Sequence, residues 1–252
     1  MSEQDQGDRG APQGGGSAPV PMTNLPPAVL ALGGLLVAIH IAKTLVLDSN
    51  ASTFLYTWFG FIPDRLTNPD LVPGGALPLV WTVVTHALLH GDWMHLFFNV
   101  AWLAVFGTPV TRRYGIGGFA ILGLAGAIAG AAGFAVFNTV FGAILIGASG
   151  AISGYMGAAM RFVFQPVQVA VHPETGERIV LGRKLASLRE VIQNRRALAF
   201  SGIWIAINLA VGLASLFSEG GGYIAWQAHL AGFAAGFVLV PLLERRPRPS
   251  AQ

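Results

Sequence analysis

Apolar residues along this chain gather into six long, nearly uncharged runs, and the charges and turn-forming residues collect between them. The runs cover about residues 26–47, 93–108, 117–139, 147–164, 198–217 and 224–243. A helix needs roughly 20 apolar residues to cross a bilayer, and four of the runs meet that length. The second and fourth are short, which is permitted to a helix enclosed by others or ending at a wet cavity. The pattern predicts an all-α polytopic membrane protein built as a bundle of six transmembrane helices.

The intervening segments fill in the organisation. Residues 1–24 are polar and rich in Gly, Pro and Ser. They carry too little apolar surface to offset the entropy of ordering, so a disordered tail is expected there. The tail fits neither a secretory signal, which starts basic, nor a mitochondrial presequence, which is Arg-rich and acid-poor. The membrane domain is expected over 25–244, with a second short tail over 245–252. The long loop over 48–92 holds Trp58, Phe59, Phe61, Leu71, Leu79 and Trp81. So apolar a loop belongs in the membrane interface rather than in water. Within the loop over 165–197, residues 167–171 and 178–181 are β-branched and alternating around a turn at 172–177. They predict a small β-hairpin, with a short amphipathic helix over about 186–196.

Charge orients the bundle. Arg112 and Arg113 lie between runs two and three, seven basic residues fall between Arg161 and Arg196, and Arg245, Arg246 and Arg248 follow run six. The opposite side holds Arg65, and Lys43 can snorkel there from the end of run one. By the positive-inside rule both termini are expected in the cytoplasm of a cell-membrane protein. Composition agrees with the membrane reading: 11% of residues are charged, against about 25% in soluble domains. The pI near 9.7 does not indicate nucleic acid, because the basic residues sit between apolar runs rather than on one soluble face. The absence of Cys excludes disulfides, Cys-ligated zinc and a thiol nucleophile.

The candidate chemistry starts at residues 147–154, Gly-Ala-Ser-Gly-Ala-Ile-Ser-Gly, which open run four. A hydroxyl at membrane depth needs a partner. Ser149 is therefore either packing glue between helices or a nucleophile whose base lies elsewhere. His229 stands near the corresponding end of run six, at matching depth. Gly150 and Gly154, like Gly232 and Gly236, repeat at four residues, the spacing that lets helix backbones approach closely. Close approach matters because a His must come within about 3 Å of a Ser oxygen to take its proton. His95 and Asn99 are four apart, on one face near the same end of run two, where they could donate to an oxyanion. His86 and His90 have a zinc-like spacing, but the Glu of the H-E-x-x-H pattern is missing and the runs offer no Asp or Glu to complete a site. No metal and no cofactor is expected.

Taken together, these residues resemble the rhomboid family of intramembrane serine proteases. The likeness rests on Gly147-Ala148-Ser149-Gly150, on His229 followed by Gly232 and Gly236, and on His90, His95 and Asn99, across residues 26–243. The resemblance implies Ser149 as nucleophile and His229 as general base. It also implies an oxyanion hole from the Ser149 backbone N–H with the His95 and Asn99 side chains, and His90 as a supporting neighbour. Cleavage of single-pass membrane-protein substrates near the outer leaflet, through an acyl-enzyme, would follow, with the lipid bilayer as the other partner. A catalytically inactive, membrane-protein-binding relative is the alternative. Without an acid to orient it, His229 is expected to be held by packing, with Gly126 and Gly130 contributing. The sequence departs from the family pattern at Thr82, in place of an Arg after Trp81. It departs again at Thr111, in place of a Glu two residues before Arg113. Ser153 stands where an aromatic commonly lies under the catalytic His; Tyr155 is off that face.

Overall fold

The computed structural model describes residues 24–138, 140–215 and 224–244. The two expected tails, apart from Asn24, and with them the basic residues at 245–248, lie outside the described residues.

Helix α1 (Pro27–Val46) starts on Pro26 and Pro27, whose missing N–H groups cost nothing at a helix start. Lys43, near its end, is half-buried. Its ammonium donates to the backbone oxygens of His90 (2.8 Å) and Gly91 (3.0 Å) and to the Tyr56 hydroxyl (2.7 Å). It thus ties α1 to both ends of the long loop.

That loop is itself structured. It contains α2 (Ser49–Phe59), α3 (Asp64–Thr67) and α4 (Leu79–Thr85), and it folds around Arg65. Arg65 is fully buried and donates to the carbonyls of Thr57, Pro73 and Gly75 at 2.6–2.8 Å. A guanidinium with several donors in a fixed fork can satisfy carbonyls that lie far apart in sequence. Arg65 thereby gives the loop an internal brace, and Thr82 is buried in α4.

The next helical run extends over Trp93–Phe137, 45 residues, about twice what one crossing requires. It contains α5 (Trp93–Trp102), a π-helical turn over Leu103–Gly107, and α6 (Thr108–Phe137). The π turn ends two residues before Pro109, which has no N–H for the regular ladder. At Gly115 the backbone enters φ +67°, open to glycine, and the run folds back on itself. The reversal is visible at Gly107, where an added Cβ would lie 3.1 Å from the Phe119 ring. In a straight helix residues 12 apart stand about 18 Å apart.

Helix α7 (Ser149–Met160) is only 12 residues long, and every one from Gly150 to Met160 is buried. It forms the centre of the molecule, packed chiefly between α6 and α10 (Trp226–Leu239). A helix apolar on all sides belongs at such a centre. Between α7 and α10 come β1 (Val167–Val171) and β2 (Arg178–Arg183), paired antiparallel, then α8 (Leu188–Gln193) and α9 (Arg195–Ser215). Ser187 and Glu190 form a reciprocal capping box at the start of α8. Four runs, Pro27–Val46, Trp93–Phe137, Arg195–Ala214 and Trp226–Leu243, are long and apolar enough to cross a membrane.

At the end of the bundle away from Ser149, Arg113 pairs with Glu244 at 2.5 Å, beside Tyr114. The acid that the sequence pattern lacks at Thr111 is thus supplied from the far end of the chain.

Candidate active site

The site grows from a seam where three helix backbones touch. A Cβ on Gly232 would lie 2.2 Å from the Gly150 carbonyl oxygen, and one on Gly236 would lie 1.8 Å from that of Gly154. From the third side, a Cβ on Gly126 would meet the Gly150 oxygen at 2.8 Å, and one on Gly130 the Ala228 oxygen at 3.2 Å. Only residues without a side chain permit such contact. The seam brings Gly150, the residue after Ser149, against Ala228, the residue before His229: a Cβ on Gly150 would be 3.7 Å from the Ala228 oxygen.

Ser149 is the first residue of α7, so its backbone N–H is one of the donors that a helix start leaves free. The approach to it is fixed by Gly147, at φ +111°. The Gly147 N–H donates to the His86 carbonyl at 2.9 Å, and Leu145 and Phe61 exchange two backbone hydrogen bonds. The Gly142 N–H donates to the Asp64 carboxylate at 2.7 Å. The long loop therefore holds the strand of chain that leads into the serine.

From the other side comes α5. Asp92 caps it by accepting from the His95 N–H at 2.8 Å, which holds the Asp92 carboxyl below its usual range. The His95 ring stacks edge-on against His90 and directs Nε2 at Gly147. A Cβ built on Gly147 would be 2.6 Å from His95 Nε2 and 3.8 Å from Ser149 Oγ. His95 and Ser149 thus face the same small space. One turn on, the Asn99 side-chain N–H donates to the His95 carbonyl at 2.8 Å, leaving a second N–H on the same nitrogen. His90 is buried with neither ring nitrogen hydrogen-bonded, and it backs His95. His86 Nδ1 donates to the Thr82 carbonyl at 2.8 Å. Among the described residues no group of three His, Asp or Glu side chains converges as a metal site would require.

His229 is half-buried, and among the described residues no hydrogen bond joins it to Ser149. Its Nδ1 instead lies 2.7 Å from the Asn208 side-chain oxygen. The imidazole is therefore not held by packing alone, as the sequence had led one to expect. Asn208 is the one amide in the apolar run of α9, and a polar side chain at membrane depth is itself a signal of function. Tyr155 is committed elsewhere: it stacks on Phe119 at 4.6 Å, and its hydroxyl fills the space beside Gly123.

The chain also has recognisable relatives. Residues 78–246 match the Rhomboid domain family. The chain is 28% identical over 161 residues to "Rhomboid protease GlpG" of Yersinia pestis (strain Pestoides F). It is 28% identical over 160 residues to the protein of the same name from Serratia proteamaculans (strain 568). Each match covers 64% of this chain and 47% of the relative, so the chain spans about half the length of these proteins. With well over half of its residues inside the matched domain, the chain belongs to the rhomboid family.

Proposed function

We propose that this chain is an intramembrane serine endopeptidase that cleaves single-pass membrane proteins near the outer leaflet. In this reading it crosses the cell membrane six times: α1, the two arms of the run folded at Gly115, α7, α9 and α10. Both termini are cytoplasmic. The observation that carries the reading is the glycine seam between α7 and α10, in which Gly150, next to Ser149, meets Ala228, next to His229.

The chemistry follows from the groups around that seam. A substrate helix enters between helices and unwinds at the site. Nε2 of His229 takes the proton from Ser149 Oγ as the oxygen attacks the peptide carbonyl carbon. The resulting oxyanion accepts hydrogen bonds from the His95 ring, from the free Asn99 N–H and from the Ser149 backbone N–H. His229 then gives its proton to the leaving amine, and water hydrolyses the acyl-enzyme. The hydrogen bond between Ser149 and His229 forms with substrate in place, as catalytic contacts commonly do. The family relationship supports the activity, and Ser149 at the start of α7 with His95 facing the same space supports the serine mechanism.

The test is cleavage of a model single-pass substrate by purified protein in liposomes. Ser149→Ala is expected to abolish cleavage and to prevent labelling by a fluorophosphonate. Undiminished cleavage by that variant would overturn the nucleophile assignment. A folded wild-type protein that neither cleaves nor labels would instead favour a membrane-protein-binding role.

A further inference from the structure

We infer that Asn208 is a positioning residue for His229, fixing the orientation and tautomer of the ring that acts on Ser149. The inference rests on the protease reading above.

Three observations carry it. The first is a fixed hydrogen-bond direction. The Asn208 Nδ2 donates to the Trp204 carbonyl at 2.8 Å, so Oδ1 is the atom presented to His229 Nδ1 at 2.7 Å. An amide oxygen only accepts, so Nδ1 must carry the proton. The neutral ring then has a bare Nε2, the form a general base needs before it can take a proton from serine.

The second is the register of α9 on α10. Trp204 stacks on Phe233 at 5.2 Å, Asn208 meets His229, and a Cβ on Gly212 would lie 2.3 Å from Trp226. Steps of four along α9 match steps of four and three along α10. The contact between Asn208 and His229 is thus the middle rung of an antiparallel ladder, pinned by an aromatic pair on one side and a glycine on the other.

The third is cost and absence of rivals. Most of α9 faces outward, yet Asn208 is buried. An amide buried at membrane depth is unfavourable unless its hydrogen bonds are made, and here both ends are engaged. Helices α6, α7, α9 and α10 carry no Asp or Glu that could do the same work. Among the described residues no aromatic ring stacks on His229, and Tyr155 is committed to Phe119. A neutral amide orients the ring without stabilising its charged form as a carboxylate would, so its contribution is to geometry and tautomer.

The experiment combines spectroscopy with kinetics. Protein labelled with 15N-histidine and reconstituted in bilayers is expected to show His229, assigned against His229→Gln, as the Nδ1–H tautomer. Asn208→Leu should populate the Nε2–H tautomer and lower kcat about 100-fold, the loss a misplaced catalytic group brings, with KM within about twofold. Asn208→Asp keeps an acceptor at the same place and should restore the Nδ1–H tautomer and most of the rate. A wild-type protein with His229 as Nε2–H would overturn the inference without recourse to any variant. So would an unchanged tautomer and rate in Asn208→Leu, or an equal rate loss in both Asn208 variants with no change of tautomer. Ser149→Ala measured alongside separates the two levels. If it cleaves like wild type, the protease mechanism fails; if it is inactive while Asn208→Leu behaves as wild type, only the role of Asn208 fails.

Discussion

At Gly147 the backbone itself decides what may approach the serine. Its φ of +111° is open to glycine and costs other residues about 1–3 kcal/mol. A side chain there would also occupy the position of His95 Nε2, 2.6 Å away. Gly147→Ala is therefore expected to push the His95 ring out of the oxyanion space while leaving the helices packed. Cleavage should fall by about 100-fold, as for a catalytic group displaced by an ångström. The backbone strain should also lower the melting temperature by roughly 2–4 °C per kcal/mol, with the protein still folded. Cleavage at the wild-type rate would show that His95 does not need this position. Ser149, His95 and Asn99 could be singled out in the sequence as candidates, by spacing together with the family resemblance. Asn208 could not, because its partner is set by how α9 lies on α10. Only its polarity within an apolar run was there to be noticed.

At the scale of elements, α7 is short, small-sided and wholly enclosed, and its stability comes from the closeness of its neighbours. Each glycine in the seam is a place where a methyl group has no room. Gly236→Ala puts a carbon 1.8 Å from the Gly154 carbonyl oxygen, which the backbones can relieve only by separating. Overpacking of that kind costs about 1–3 kcal/mol. Gly202→Ala, on the open face of α9 with nothing within 4 Å, is the matched control and should be neutral or stabilising by up to about 1 kcal/mol. Unfolding followed in lipid or detergent should separate the two variants by that margin; equal behaviour would mean that the seam is not under steric constraint. The four-residue glycine repeats were legible as a close helix contact. Their register, Gly150 on Gly232 and Gly154 on Gly236, was not, because a repeat on each helix does not say which glycine faces which.

For the whole molecule, orientation is the property that the charge distribution bears on most directly. The chain has no cysteine, so a single introduced thiol reports cleanly on sidedness. Asn68→Cys, exposed on the long loop, is expected to react with a membrane-impermeant maleimide added to intact cells. Thr175→Cys, exposed at the turn between β1 and β2, should react only after the cells are opened. The opposite result would invert the assigned topology. The molecule also closes a gap that looked like a defect in the linear pattern. Glu244 meets Arg113 where Thr111 offers no acid, and it comes from 133 residues away in sequence.

By itself the sequence determined the membrane character of the protein and the apolar helices. Burial of uncharged runs and the inside preference of basic residues act locally along the chain. It also marked the serine, the histidines and the glycines from which a site could be made. Which groups meet was decided by the tertiary structure alone. The fold-back at Gly115, the seam between α7 and α10 and the rung joining Asn208 to His229 depend on contacts between residues far apart in sequence. Such contacts are settled by which backbones can approach and which buried polar atoms find a partner, and neither is written in any one stretch of the chain.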